Sequence, residues 1–164
     1  QMGKTLILPA RWNLATAKPV LGTNPAEKLL TNGIRGSLKY SDFEWCSWAD
    51  NDSVSFTIDL LKPEMLNTLI LGCITNNGMA IHKPASVRVE VSDDNSKFRE
   101  AVVQSFTSEE IFREGNFIEN LSLKLGGTQA RYVRVTAKGP GVCPASHVRP
   151  GQTSRIFFDE VMLE

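Results

Sequence analysis

The stretch SVSFTIDLL, residues 53–61, decides the fold class of this 164-residue chain. Every second side chain in it is apolar: Val54, Phe56, Ile58 and Leu60. Successive side chains of a β-strand point to opposite faces, so a period of two places one face on a core and the other in water. The stretch therefore predicts a half-buried β-strand.

The same alternation returns along the chain. It is found in ASVRVEVS (85–92), NLSLKL (120–125) and RYVRVTA (131–137), whereas NTLILGCI (67–74) and RIFFDEVML (155–163) are apolar at both parities. Turn-forming residues separate these runs, and only residues 25–30 and 108–114 suit a helical turn or two. Many short strands with turn punctuation predict an all-β antiparallel sandwich or jelly roll.

Size and charge narrow the function. The chain is long enough for one domain with a single core. Lys plus Arg and Asp plus Glu both number 18, so no net charge draws the protein to nucleic acid or to an anionic membrane. The longest apolar run, residues 66–74, is far shorter than the ~20 residues that span a bilayer.

The chain carries no sequence motif of a catalytic site. Nothing in it resembles G-x-S-x-G, a P-loop or H-E-x-x-H, and its carboxylates lie in turns or on exposed strand faces. We therefore expect a domain that is not itself an enzyme.

The three cysteines are too few and too scattered for a disulfide framework or for a zinc site built from close pairs. Cys73 lies in an apolar strand and reads as a small buried hydrophobe. Cys46 and Cys143 both fall in predicted loops. They form a disulfide only if those loops share one end of the fold, and otherwise both thiols stay free.

The order of these segments resembles a known family. The blocks that carry the resemblance are NLATAKPV (13–20), LLTNGIRG (29–36), the tryptophans Trp45 and Trp48, IDL (58–60), PASVRVEVSDDNSKF (84–98), ARYVRVTAKGPGVCP (130–144) and IFFDEVMLE (156–164). Together they resemble coagulation factor V/VIII type C, or discoidin-like, domains, and among these the bacterial carbohydrate-binding module family 32. The tail is similar to the C-terminal modules of bacterial β-hexosaminidases and related exo-glycosidases.

That resemblance implies a fold and domain bounds. The fold would be an eight-stranded antiparallel jelly-roll β-sandwich of the galactose-binding-domain type. It would occupy residues 13–164 as one domain, with residues 1–12 a leading segment whose first three residues look vector-derived. The parent protein would be a bacterial glycoside hydrolase that is secreted, periplasmic or on the cell surface.

The resemblance also implies a structural calcium ion between the turn LTNG (30–33) and the last strand. Calcium accepts six to eight oxygen ligands, which loop carbonyls supply. The implied ligands are the carbonyls of Leu29, Ile34 and Asp159, the side chains of Asn32 and Glu160, and Ser37. Asn32 stands where the family has aspartate, which removes one negative charge and lowers the expected affinity. The alternative is a plain tight turn beside a solvated carboxylate.

A glycan site would lie where three loops meet: residues 41–50, 75–84 and 138–155. An aromatic face stacks on a pyranose while polar groups bind its hydroxyls. We expect Trp45 to be the stacking platform, and the hydrogen-bonding candidates are Asn76, Asn77, His82, His147 and Arg149. Loop 75–84 lacks the arginine of galactose-binding family members, so the resemblance implies a different sugar, such as an N-acetylhexosamine, or a degenerate site.

Three functions remain open from the sequence. The first is a monomeric glycan-binding module for terminal hexose or N-acetylhexosamine, which targets the parent enzyme. The second is a structural module that packs on the catalytic domain without binding sugar. The third is a discoidin-type lipid or protein adhesion module, with Met79 and Ile81 as apolar spikes on a loop tip.

Overall fold

The structure, a computed structural model, describes residues 12–14, 30, 34–42, 44–48 and 54–164. For Trp12–Leu14 and Trp48 it describes the backbone alone. The predicted helical turn at residues 25–30 lies outside the described residues except for Leu30, which is a turn residue.

Seven strands make up the described fold. They are β1 (Trp12–Leu14), β2 (Cys46–Trp48), β3 (Val54–Asn76), β4 (Ser86–Ser92), β5 (Arg99–Ser105), β6 (Asn116–Lys138) and β7 (Ile156–Leu163). A 3-10 turn spans Asn77–Met79, and helix α1 spans Ser108–Ile111. Thr107 caps α1 through a capping box, since its side chain accepts from the Glu110 amide while the Glu110 side chain accepts from the Thr107 amide.

The two 23-residue strands, β3 and β6, form the centre of both layers. They pair antiparallel along their length, with register shifts between Asp59 and Glu64 and between Leu66 and Thr68. The first half of β3 pairs with β1 and with the second half of β6, which continues to β4 and β5. The second half of β3 pairs with β7, which continues to β2. The register shifts therefore divide one connected sheet into two layers.

The core lies between these layers. One continuous cluster joins the inward positions of β3, β4 and the second half of β6 to those of β7 and the first half of β6. The alternating valines of β4, for example, are fully buried. As predicted for strands covered on both faces, all eight residues of β7 are buried.

The structure confirms the all-β antiparallel prediction and the inward faces of the alternating strands. The structure describes seven strands, whereas eight were predicted. The numbers differ because β3 and β6 each run unbroken through both layers. Cys46, Cys73 and Cys143 are buried and none of them is disulfide-bonded, so the Cys46–Cys143 disulfide does not form. Cys46 lies in β2 rather than in a loop. No helix in the described part of the chain is long and apolar enough to cross a membrane.

Candidate functional site

Two of the three predicted loops meet at one end of the sandwich. Loop 77–85 and loop 139–155 are joined by backbone hydrogen bonds, from the His82 amide to the Arg155 carbonyl at 3.0 Å and from the Arg155 amide to the Ala80 carbonyl at 2.9 Å. Helix α1 and the residues after it lie against both loops, because Phe112 packs on side chains of each. The three segments enclose a concave surface.

This surface, the loop-end cleft, has a volume of about 280 Å³. Its described lining is Asn77, Ser108, Glu109, Phe112, Glu114, Pro144, Ser146, His147 and Val148. The lining combines an aromatic ring and apolar side chains with hydroxyl, amide and carboxylate groups. This is the composition that binding a polyhydroxylated ring requires.

Phe112 forms the aromatic wall. It follows α1 directly, and its ring meets the His82 ring edge-on, with centroids 5.0 Å apart, and the His147 ring at 6.2 Å. Such edge-to-face contacts stabilise aromatic pairs and fix their orientation. Phe112 is half-buried, so part of its ring remains open to the cleft.

The floor is formed by His147, which is hydrogen-bonded to a second, buried histidine outside the described lining. His82 is fully buried, and its Nε2 lies 2.9 Å from Nε2 of His147. Nδ1 of His147 accepts the Arg149 amide proton at 2.8 Å. An imidazole nitrogen that accepts carries no proton, so the proton of neutral His147 lies on Nε2 and is donated to His82. Both nitrogens of His147 are then occupied within the protein.

Burial keeps both histidines neutral at pH 7. Burial first, and the neighbouring His147 second, lower the pKa of His82 to about 4, against the opposing effect of the Ile111 backbone. Burial also lowers the pKa of His147, helped by the positive charge of Arg149 and opposed by Glu114. The floor of the cleft therefore carries no positive charge at neutral pH.

Only some of the predicted hydrogen-bonding residues line the cleft. Asn77 lines the cleft, with its side-chain Nδ2 3.0 Å from Nε2 of His147. The Nε2 proton of His147 is shared between His82 and Asn77, and the Asn77 atom that accepts it is the amide oxygen, because amide oxygen and nitrogen are assigned from the hydrogen-bond network. Asn76 pairs through its backbone with Ile81 at the end of β3 and is not among the described lining residues. Arg149 donates to the Gly78 carbonyl, so it ties the two loops together.

The prediction that Trp45 is an exposed stacking platform is wrong. Trp45 is 0% exposed and packs with Ile74, Ile81 and Phe157. Its indole N–H donates to the Ser37 carbonyl at 2.8 Å. A large aromatic with its polar atom satisfied contributes more to the fold by packing than by exposure. Loop 41–50 therefore supports the cleft end from beneath, as far as its described residues show.

The proposed apolar spikes are also wrong. Ile81 is fully buried in the same cluster as Trp45, and Met79 packs against it. The loop tip turns its apolar side chains inward because Ala80, in left-handed conformation, reverses the chain after the 3-10 turn. This removes the feature on which the lipid-adhesion alternative rested.

Leu30, the described residue of the turn that was expected to hold calcium, lies against the last strand. The Val161 amide donates to the Leu30 carbonyl at 2.8 Å, and the Asp159 carboxylate accepts from Arg35 at 2.8 Å and from the Gly36 amide at 2.9 Å. Glu160 is buried. Among the remaining expected ligands, Ile34 and Ser37 are exposed, whereas Leu29 and Asn32 lie outside the described residues.

One wall of the cleft was not predicted from the sequence to be part of a binding site. It consists of Ser108, Glu109, Phe112 and Glu114. Residues 108–114 were recognised only as a helical turn. The local signal was an aromatic side chain among acidic ones on that turn. Nothing in the spacing indicates that this turn meets loops formed by residues 77–85 and 139–155.

Comparison with solved structures shows the fold. The C-terminal domain of a chitobiase from Bacteroides fragilis is 17% identical, with 98% of this chain and 97% of that chain covered and a TM-score of 0.59. The module CpGH89CBM32-5 of Clostridium perfringens, solved with GalNAc-β-1,3-galactose, is 14% identical over 94% of both chains, with a TM-score of 0.60. SpX-3, a fucose-binding module of Streptococcus pneumoniae, is 17% identical over 98% and 97%, with a TM-score of 0.56.

No curated protein matches the chain. The family model described as F5/8 type C domain matches residues 15–148, which is most of the length of this chain. That match spans strands β2 to β6 and the cleft residues up to Val148. The chain therefore belongs to the F5/8 type C domain family.

Proposed function

We propose that this domain is a non-catalytic glycan-binding module and that the loop-end cleft is its sugar site. The observation that carries the proposal is the combination of a fixed aromatic ring, Phe112, with polar side chains around one cleft. A pyranose has an apolar face and a rim of hydroxyls, and this arrangement matches both. Solved structures of the same fold include modules described as binding GalNAc-β-1,3-galactose or fucose.

Each part of the cleft has a separate role in this proposal. The apolar face of the sugar lies on Phe112, flanked by Val148 and Pro144. The amide of Asn77 and the carboxylate of Glu109 bind ring hydroxyls. His147 contributes a wall and orients Asn77, because both of its nitrogens are already hydrogen-bonded.

The charge of the cleft narrows the class of glycan. Glu109 and Glu114 line it, and no Lys or Arg is among its described lining residues. Uncompensated carboxylates repel an anionic ligand at close range. The cleft therefore favours neutral sugars, including terminal hexose and N-acetylhexosamine, over uronic or sialic acids.

The parent protein in this proposal is a secreted bacterial glycoside hydrolase, in particular a β-hexosaminidase. The fold shared with the chitobiase C-terminal domain supports it. An open cleft on a rigid sandwich gives weak affinity for one sugar, in the range of about 0.1–1 mM. Tethering to a catalytic domain converts this weak binding into a high local concentration of enzyme on its substrate.

We also propose the calcium ion as a structural link between the turn at residues 30–33 and β7. Its support is that Glu160 is only 2% exposed and directly precedes Val161, whose amide is bonded to the Leu30 carbonyl. Calcium takes carboxylate and backbone carbonyl oxygens as ligands, and both lie at this junction. Oδ2 of Asp159 is taken by Arg35 and the Gly36 amide, and the ligand proposed from this residue is its carbonyl.

A glycan array on the purified domain tests the glycan proposal. Wild type should bind arrays of neutral terminal hexose or N-acetylhexosamine, and Phe112→Ala should lose that binding. Phe98→Ala is the matched control, because Phe98 is a half-buried aromatic whose ring packs under Arg134, outside the described lining of the cleft. Binding that survives Phe112→Ala would place the site elsewhere. A blank array from folded wild type would favour the purely structural module.

A further inference from the structure

We infer that His82, Cys143 and His147 form a binding site for a divalent ion of the zinc class. The ligand atoms of the three side chains all lie within 4.8 Å of one another, and all three residues are buried. Two imidazoles and a thiol are the donor set that tetrahedral zinc prefers. The calcium proposal concerns a different place, in the middle of β7.

Local structure aims the three ligands at one point. The His147 amide donates to the Pro144 carbonyl at 3.0 Å, and this turn folds His147 back beside Cys143. Cys143 is held at both backbone groups, by the Gln152 carbonyl at 2.8 Å and the Gly151 amide at 2.9 Å. His82 comes from the other loop, 65 residues earlier than His147.

The Cys143 thiol is only weakly bonded within the protein. It meets the Ser154 hydroxyl at 3.5 Å, and a thiol is a poor hydrogen-bond donor and acceptor. The Nε2 atoms of His82 and His147 face each other 2.9 Å apart. A metal ion would bind the thiolate and both Nε2 atoms at once.

Without metal, the ligand atoms lie close to, but not at, the positions that a tetrahedral zinc ion requires. The two Nε2 atoms lie 2.9 Å apart, whereas ligand nitrogens of one tetrahedral zinc are about 3.3 Å apart. Coordination also moves the His147 proton from Nε2 to Nδ1, so the Arg149 amide must release Nδ1. The ion would therefore replace two internal hydrogen bonds, the one between the Nε2 atoms and the one from the Arg149 amide, and shift one turn.

Such a site cross-links the two loops of the cleft. The side chain of Asn77 adjoins His147 Nε2 and lines the cleft, so the fourth coordination position lies on that side. The spacing of the cysteines in the sequence does not indicate a zinc site, because the three ligands come from two loops. Only Cys143 and His147, which are spaced as C-x-x-x-H, lie close together in the sequence. The inference does not depend on sugar binding, and its test uses no glycan.

Cobalt substitution provides a direct test. The untagged, reduced domain is stripped with a chelator and titrated with Co²⁺. We expect one equivalent to bind, with a thiolate-to-cobalt charge-transfer band and the visible spectrum of a tetrahedral site. One equivalent of Zn²⁺ should bleach both and raise the midpoint temperature of unfolding by several degrees.

Two alanine variants complete the test. Cys143→Ala should lose the charge-transfer band and the zinc-dependent stabilisation, while Cys73→Ala, which removes a buried thiol from the core, should keep both. A folded wild-type protein that shows no charge-transfer band would overturn the inference whatever the variants do. So would a band that persists in Cys143→Ala.

Discussion

Replacing Trp45 by alanine distinguishes a core role from a sugar-stacking role. Trp45 is fully buried, and a tryptophan side chain buries roughly 150–250 Å², which is worth about 4–6 kcal/mol at ~25 cal/mol per Å². Its indole N–H also donates to Ser37, a bond worth about 1 kcal/mol. Because the site relaxes in part, we expect the free energy of unfolding to fall by about 4–5 kcal/mol.

Thermal unfolding measures this loss. A domain of this size loses roughly 2–4 °C of midpoint temperature per kcal/mol, so Trp45→Ala should melt roughly 10–15 °C below wild type. Trp45→Phe, which keeps an aromatic ring and removes the N–H donor, should lose less. At a temperature where both variants are folded, their glycan affinity should equal that of wild type.

The opposite pattern would refute this reasoning. If Trp45→Ala melts within about 3 °C of wild type and loses glycan binding, the ring is an exposed platform. In that case loop 41–50, rather than Phe112, would provide the aromatic face of the sugar site.

Three further changes test the tie between the N-terminal loop and β7. Gly72→Ala places a Cβ 1.9 Å from Oδ1 of Asp159, so we expect the free energy of unfolding, measured by urea denaturation, to fall by about 1–3 kcal/mol or more. Gly78→Ala is the control, because its Cβ would have its nearest neighbour at 3.7 Å, and it should change that free energy by less than about 0.5 kcal/mol. Arg35→Met leaves the buried Asp159 carboxylate without its cation, and because Arg35 is itself a third exposed, the loss should be about 2–3 kcal/mol. Calcium added back to the chelator-treated protein should raise the melting temperature of wild type but not of Glu160→Gln. Equal melts with and without added calcium, and no calcium by elemental analysis, would remove the ion.

The strand framework was predictable because it rests on local patterns. The alternation from Val54 to Leu60 and the apolar run of β7 each follow from which faces are buried, which a short window of sequence records. The sequence did not predict that β3 continues through Pro63. The turn-forming residues near the register shift are more typical of a loop between two separate strands. That continuity accounts for the difference in strand count.

The candidate site was only partly predictable because it is assembled from distant segments. Asn77 and His147 were found from loop composition, and both line the cleft. Phe112 was missed and Trp45 was misassigned for the same reason. A sequence shows that an aromatic lies near a turn, but the long-range packing of that turn decides whether its ring faces solvent or core.

NMR mapping tests directly whether sugar binds in the loop-end cleft. Backbone amide shifts of the ¹⁵N-labelled domain would be followed while N-acetylglucosamine, N-acetylgalactosamine or galactose is added at millimolar concentration. We expect saturable shifts for at least one sugar, concentrated at residues 77, 108–114 and 144–148. Saturable shifts centred on another surface, or no shifts with any of the three sugars, would show that the cleft is not the sugar site.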